Sequence, residues 1–181
     1  MRHIRWRLRP GAVLALAFAW FLDEGGLVPA ALAAAAVHEA GHVLALRLGR
    51  AHITRVTLGL AGAELDYAGA LTRREELLAL AAGPAFGALW ALWGLEPGGG
   101  FLHCSGSVSA VLTAFNLLPV LPLDGGRILA AWIGAGRARR VSRISALGLL
   151  AGGALLLFRL GAPWLLLSAA WLTICNFCRG T

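Results

Sequence analysis

Three ionisable side chains fall within five residues of an otherwise apolar stretch, VHEAGHVLALRLG, Val37 to Gly49: His38, Glu39 and His42. On a helix, residues four apart lie on one face, one turn apart, so His38 and His42 can bind one metal ion together. Glu39 lies next to His38 and can reach a water on that metal without being a ligand. The pattern is H-E-x-x-H, which pairs two zinc-binding histidines with a general-base glutamate. Zinc in a hydrolytic site takes a third protein ligand and keeps a fourth position open. There it lowers the pKa of a water to around 7. The competing reading is a purely structural His–Glu pairing. Each charge at the centre of a membrane span costs at least about 2.5–3.5 kcal/mol on insertion scales, so three on one turn imply a shared partner.

Asp124 is the acid best placed to complete the set. It lies in FNLLPVLPLDGGRIL, Phe115 to Leu129, which combines a helix break, two prolines and a Gly-Gly. A helix interrupted at membrane depth is tolerated only where it is buried in protein or lines a wet cavity. Asp124 can be a metal ligand, an N-cap for the helix it begins, or both. Asn116, just before the break, can hydrogen-bond a substrate backbone or satisfy the carbonyls that the break frees.

These residues need a membrane to sit in, and the composition supplies one. Of 181 residues, 59% are hydrophobic and 14% charged, with mean hydropathy +0.74. Soluble domains sit near 45–50% apolar. The length allows about five to seven spans. The net charge of +7 comes from arginine alone. The arginines flank apolar runs, as in membrane proteins, rather than forming a nucleic-acid surface. Three cysteines, Cys104, Cys175 and Cys178, cannot make a disulfide framework. The C-x-x-C at 175–178 reads as small hydrophobes in a helix.

Apolar runs cover Gly11–Leu22, Leu27–Leu48, Leu77–Leu95, Ser105–Leu118, Ile144–Phe158 and Pro163–Phe177. The first, behind Arg2, Arg5, Arg7 and Arg9, also fits a signal peptide; a retained membrane helix is preferred. Between the second and third runs, ITRVTLGLAGAELDY predicts a hairpin: strands near Ile53–Leu60 and Ala63–Tyr67, with a turn near Ala61–Gly62. Asp124 restarts a helix to about Ile133, and Arg137, Arg139, Arg140 and Arg143 follow as a basic patch. The expected fold is an all-α polytopic membrane protein with about six transmembrane helices and a short membrane-associated β-hairpin after the second. With the N-terminus inside, six spans place nearly all arginines inside, so both termini are expected in the cytoplasm.

With HEAGH at 38–42, AAGP at 81–84 and N-L-L-P-x-x-P-L-D-G-G-R at 116–127, the chain resembles the site-2 protease family of intramembrane zinc metalloproteases. RVTLGLAGAELDY resembles the matching segment of its stage IV sporulation protein FB group. The resemblance implies one membrane-embedded metalloprotease domain over 1–181, in a bacterial cell membrane, with no PDZ domain inserted. Its catalytic core would cover about 27–135, with accessory helices at about 10–22 and 144–178. It implies one zinc ion on His38, His42 and Asp124, Glu39 as general base, and Asn116 near the substrate. The implied substrate is a membrane-tethered sigma-factor precursor, with inhibitory membrane protein partners and no nucleic acid. The hairpin offers an edge strand to an unwound substrate. The rival readings are a zinc-dependent hydrolase of a small or lipidic substrate, a metal transporter, and a non-enzymatic metal-binding membrane partner. Two features depart from the family: no CBS domain, common in that group, is expected here for ATP sensing, and Ala85, Phe86 and Gly87 follow Gly-Pro where many members have a polar residue.

Overall fold

The computed structural model describes residues 4–59, 62–95, 99–161 and 163–178. Along the chain run β1 (Arg5–Leu8), α1 (Pro10–Phe21), α2 (Leu27–Leu48), β2 (His52–Gly59), β3 (Gly62–Ala68), α3 (Arg73–Trp93), α4 (Gly100–Asn116), α5 (Asp124–Ile133), α6 (Ala135–Leu160) and α7 (Trp164–Cys178). Two compact units divide it, Met1–Ala114 and Phe115–Thr181. By length and composition, α2, α3 and Ala135–Arg159 of α6 can each cross a membrane. Three of the six expected runs therefore reach spanning length among the described residues. Pro10–Phe21 and Leu165–Phe177 are apolar but shorter.

In the first unit, α2 begins without a side-chain cap at its own N-cap residue, Gly26, which lies in the left-handed region at φ 72°. Asp23 supplies the acceptors instead. Its carboxylate oxygens accept from the N–H groups of Leu27 at 2.8 Å and Val28 at 2.9 Å, satisfying two of the four donors a helix start leaves orphaned. The Val28 bond chiefly, helped by the other backbone bonds, holds the Asp23 carboxyl below its ordinary pKa. From that start α2 buries a stripe at helical spacing: Ala30, Ala34, His38, Gly41 and His42. Apart from the two imidazoles the stripe is small, so α3 can approach closely. A side chain on Gly41 would collide with the backbone of Ala82. α3 itself opens with a capping box. The Glu75 N–H donates to Thr72 Oγ1 at 3.3 Å, and the Thr72 N–H donates to Glu75 Oε2 at 2.7 Å.

α4 adds a buried polar stripe, Ser105, Ser109 and Thr113. Trp90 of α3 donates Nε1–H to Ser105 Oγ at 2.9 Å, and Ser105 donates onward to the Ala30 carbonyl of α2 at 3.0 Å. Ser109 donates to the Gly87 carbonyl of α3 at 2.8 Å. Between helices in lipid, close approach at small residues and such polar bonds replace the hydrophobic effect, each bond contributing roughly 0.6 kcal/mol on average.

The expected hairpin is present as β2 and β3; Leu60 and Ala61 lie outside the described residues. The sheet has one strand more than expected. β1 pairs in parallel with β2, Arg5 opposite Arg55 through Leu8 opposite Leu58, giving the order β1-β2-β3. RWRL looks like a basic flank in the sequence and becomes a strand only through this long-range pairing. The fold is thus mostly helical with a three-stranded sheet, rather than helical with a lone hairpin. Arg9–Glu64 at 3.0 Å and Arg55–Asp66 at 3.5 Å pair charges along the sheet. Ile53 and Leu65 pack on a small core of Leu46, Ala51 and Ala79, which joins the sheet to α2 and α3.

In the second unit, residues 117–123 form the proline-broken segment that leads into α5. Its freed backbone groups need other partners, and two side chains provide them. Ser142 of α6 accepts from the Leu121 N–H at 2.7 Å. Asn176 of α7 donates to the Leu121 carbonyl at 2.5 Å and to the Leu172 carbonyl at 2.9 Å. Ser142 donates in turn to Asn176 Oδ1. Both side chains are buried. Gly125 and Gly126 lay the first turn of α5 on this segment: side chains there would collide with the backbone of Leu117–Leu118 and Val120–Leu121. Val120, Ala146 and Leu172 form the core beneath. The arginines at 137–143, expected as a separate patch, fall inside α6. Arginine is a good helix former, so nothing interrupts the helix there.

Candidate metal centre

His38 and His42 project from the buried face of α2, their ring centroids 4.9 Å apart and their planes at 74°. The His42 ring is held from both sides by α3. Its Nδ1 lies 2.7 Å from the Ala79 carbonyl. A carbonyl only accepts, so His42 carries its proton on Nδ1 and presents a bare lone pair at Nε2. Gly83 makes the space, since a side chain there would overlap the imidazole. This is a ligand histidine's usual support: one nitrogen fixed by an outer acceptor, the other aimed at the metal.

The two Nε2 atoms lie 3.2 Å apart. Two ligands about 2.0–2.1 Å from one zinc in tetrahedral geometry would be about 3.4 Å apart, so the spacing fits a shared ion. His38, His42 and Asp124 each offer one ligand atom, and these atoms all lie within 4.8 Å of one another. The donor set, two imidazoles and one carboxylate, suits zinc with an open fourth position. Asp124 is 7% exposed. It opens the first turn of α5, while the N-cap position belongs to Leu123. Leu123 makes no side-chain cap bond there. Glu39 is half-buried on α2 next to His38, and Asn116 is half-buried at the last residue of α4.

Sequence reasoning missed the supports: the Ala79 carbonyl, the Ser142–Asn176 pair and the hydroxyl stripe of α4. Only one signal for them was readable. Ser105, Ser109 and Thr113 recur every four residues in an apolar run.

Two imidazoles and one carboxylate that could hold a metal ion thus sit on a mostly helical scaffold with helices able to cross a membrane, and comparison with known proteins bears on the class. Residues 99–160 match the model of peptidase family M50. The candidate zinc metalloprotease Rip3 of Mycobacterium tuberculosis, in strains Erdman and H37Rv, is 34% identical over 176 residues, covering 81% of this chain and 43% of the relative. The chain thus spans less than half the length of the curated relatives it matches. The site-2 protease from Methanocaldococcus jannaschii superposes with a TM-score of 0.68 at 21% identity, over 100% of this chain and 93% of that one. The fold resembles that of this site-2 protease, and the match to peptidase family M50 lies over α4, α5 and α6.

Proposed function

We propose that the protein is an intramembrane zinc metalloprotease that hydrolyses a peptide bond in or near a membrane-embedded segment of a protein substrate. The observation that carries this reading is the convergence of His38, His42 and Asp124, with Glu39 one residue from a ligand on α2. The three would hold one zinc ion, which when bound supplies a Lewis acid for the scissile carbonyl and makes a water acidic enough to attack. Glu39 would serve as the general base beside the ion, taking up a proton on its carboxylate and giving it to the leaving nitrogen. Asn116 contacts the unwound substrate backbone. β3, an outer strand of the sheet, offers its free edge to the same segment by strand addition. A small or lipidic substrate would need no such edge, which favours a protein substrate.

The narrower reading is a membrane-tethered sigma-factor precursor cleaved during sporulation, under control of inhibitory membrane proteins. Its support is the likeness of RVTLGLAGAELDY to the stage IV sporulation group. Both termini are assigned to the cytoplasm on arginine placement. Co-expression with candidate membrane-tethered transcription-factor precursors tests the function. Glu39→Gln should abolish cleavage and retain zinc; cleavage by that variant would remove Glu39 from the chemistry.

A further inference from the structure

Thr113 is 7% exposed on α4, and its Oγ1 is buried without a hydrogen-bond partner. A buried hydroxyl without a partner has given up its bond to water and gained none in return. The hydroxyls one and two turns earlier, on Ser109 and Ser105, are both bonded, so the stripe does not leave such groups idle. The Thr113 hydroxyl faces the notch at Gly87. A side-chain atom on Gly87 would press against Thr113 Oγ1, and would lie 3.5 Å from Ser109 Oγ and 3.6 Å from His38 Nδ1. Polar atoms from α4 and α2 therefore converge where α3 has no side chain.

His42 shows what its neighbour needs. With the Ala79 carbonyl at Nδ1, the His42 tautomer makes Nε2 the accepting nitrogen. For His38 to offer Nε2 beside it, the His38 proton must sit on Nδ1, and an acceptor on that side sets this. We propose that Thr113 is the positioning residue of His38: its hydroxyl, which fills the notch at Gly87 beside the His38 ring, accepts the Nδ1–H of His38 when the ring turns Nε2 to a metal, and so fixes the tautomer that metal binding requires.

This inference rests on the metal-centre reading, and the test separates the two. The full chain is purified without metal, and its thermal unfolding and its zinc affinity, by chelator competition, are measured. Thr113→Val removes only the hydroxyl. It should leave the metal-free melting temperature unchanged or raised, because an unsatisfied buried group is gone, while zinc affinity falls about 10–100-fold. Thr113→Ser should restore the affinity. Unchanged zinc binding in Thr113→Val overturns the proposal. So does metal-free melting that falls along with affinity, or failure of Thr113→Ser to rescue. His38→Ala is the control: zinc binding as tight as wild type there removes the metal centre itself. Loss in His38→Ala with none in Thr113→Val removes only the role of Thr113.

Discussion

The His42 ring lies where a side chain on Gly83 would be, and on α6 Gly148 has nothing within 4 Å of the same position. One substitution made at each site should therefore act with opposite signs. Gly83→Ala pushes a methyl group into a ring held by a carbonyl, with the usual overpacking cost of about 1–3 kcal/mol. Zinc retention should fall with it. Gly148→Ala adds a methyl group in open space on a helix and should stabilise by up to about 1 kcal/mol through helix propensity. Melting temperature and bound zinc, measured on both variants, check the pair. At this scale H-E-x-x-H was readable because its chemistry lies in spacing along one helix. Thr113 was not, because a hydroxyl in an apolar run looks the same whether it is bonded, idle or aimed at a histidine.

Individual elements are held at their ends by groups that can be removed singly. Asp23 caps α2 from outside the helix, and its pKa is lowered in the folded state, chiefly by the Val28 bond. A carboxylate with a lowered folded pKa stabilises above its unfolded pKa, and loses that contribution as pH falls through the folded value. The difference in melting temperature between wild type and Asp23→Asn should therefore be full at neutral pH and vanish in strong acid. A difference independent of pH would contradict the cap. In α3, Thr72→Ala removes one half of the capping box and should cost about 0.5–2 kcal/mol, measured by chemical unfolding. Asn176 ties α7 to the broken segment before α5. The expected hairpin was legible from β-branched residues and glycine. The third strand was not, because Arg5–Leu8 acquires its partner only when Arg55–Leu58 arrives.

For the chain as a whole, the membrane class followed from composition, and Asp124 from a helix break written into the local sequence. The supports that fix those residues join positions far apart: 37 residues for His42 and Ala79, and 55 for Asn176 and Leu121. Spacing along the chain carries no trace of such pairs. Single cysteines at Asp23 and at Arg139 test the proposed topology; a membrane-impermeant thiol reagent should label the first from outside intact cells and the second only after lysis. The Asn176 clamp also has a consequence for biogenesis. The ribosome delivers Asp124 well before the side chain that secures its loop. An ion at the proposed centre would therefore be a late acquisition, taken up only once α7 has been made. A nascent chain arrested at residue 160 should carry little zinc while the chain through α7 carries one ion; the order of synthesis itself would then keep the proposed hydrolase from being armed while it is still being inserted.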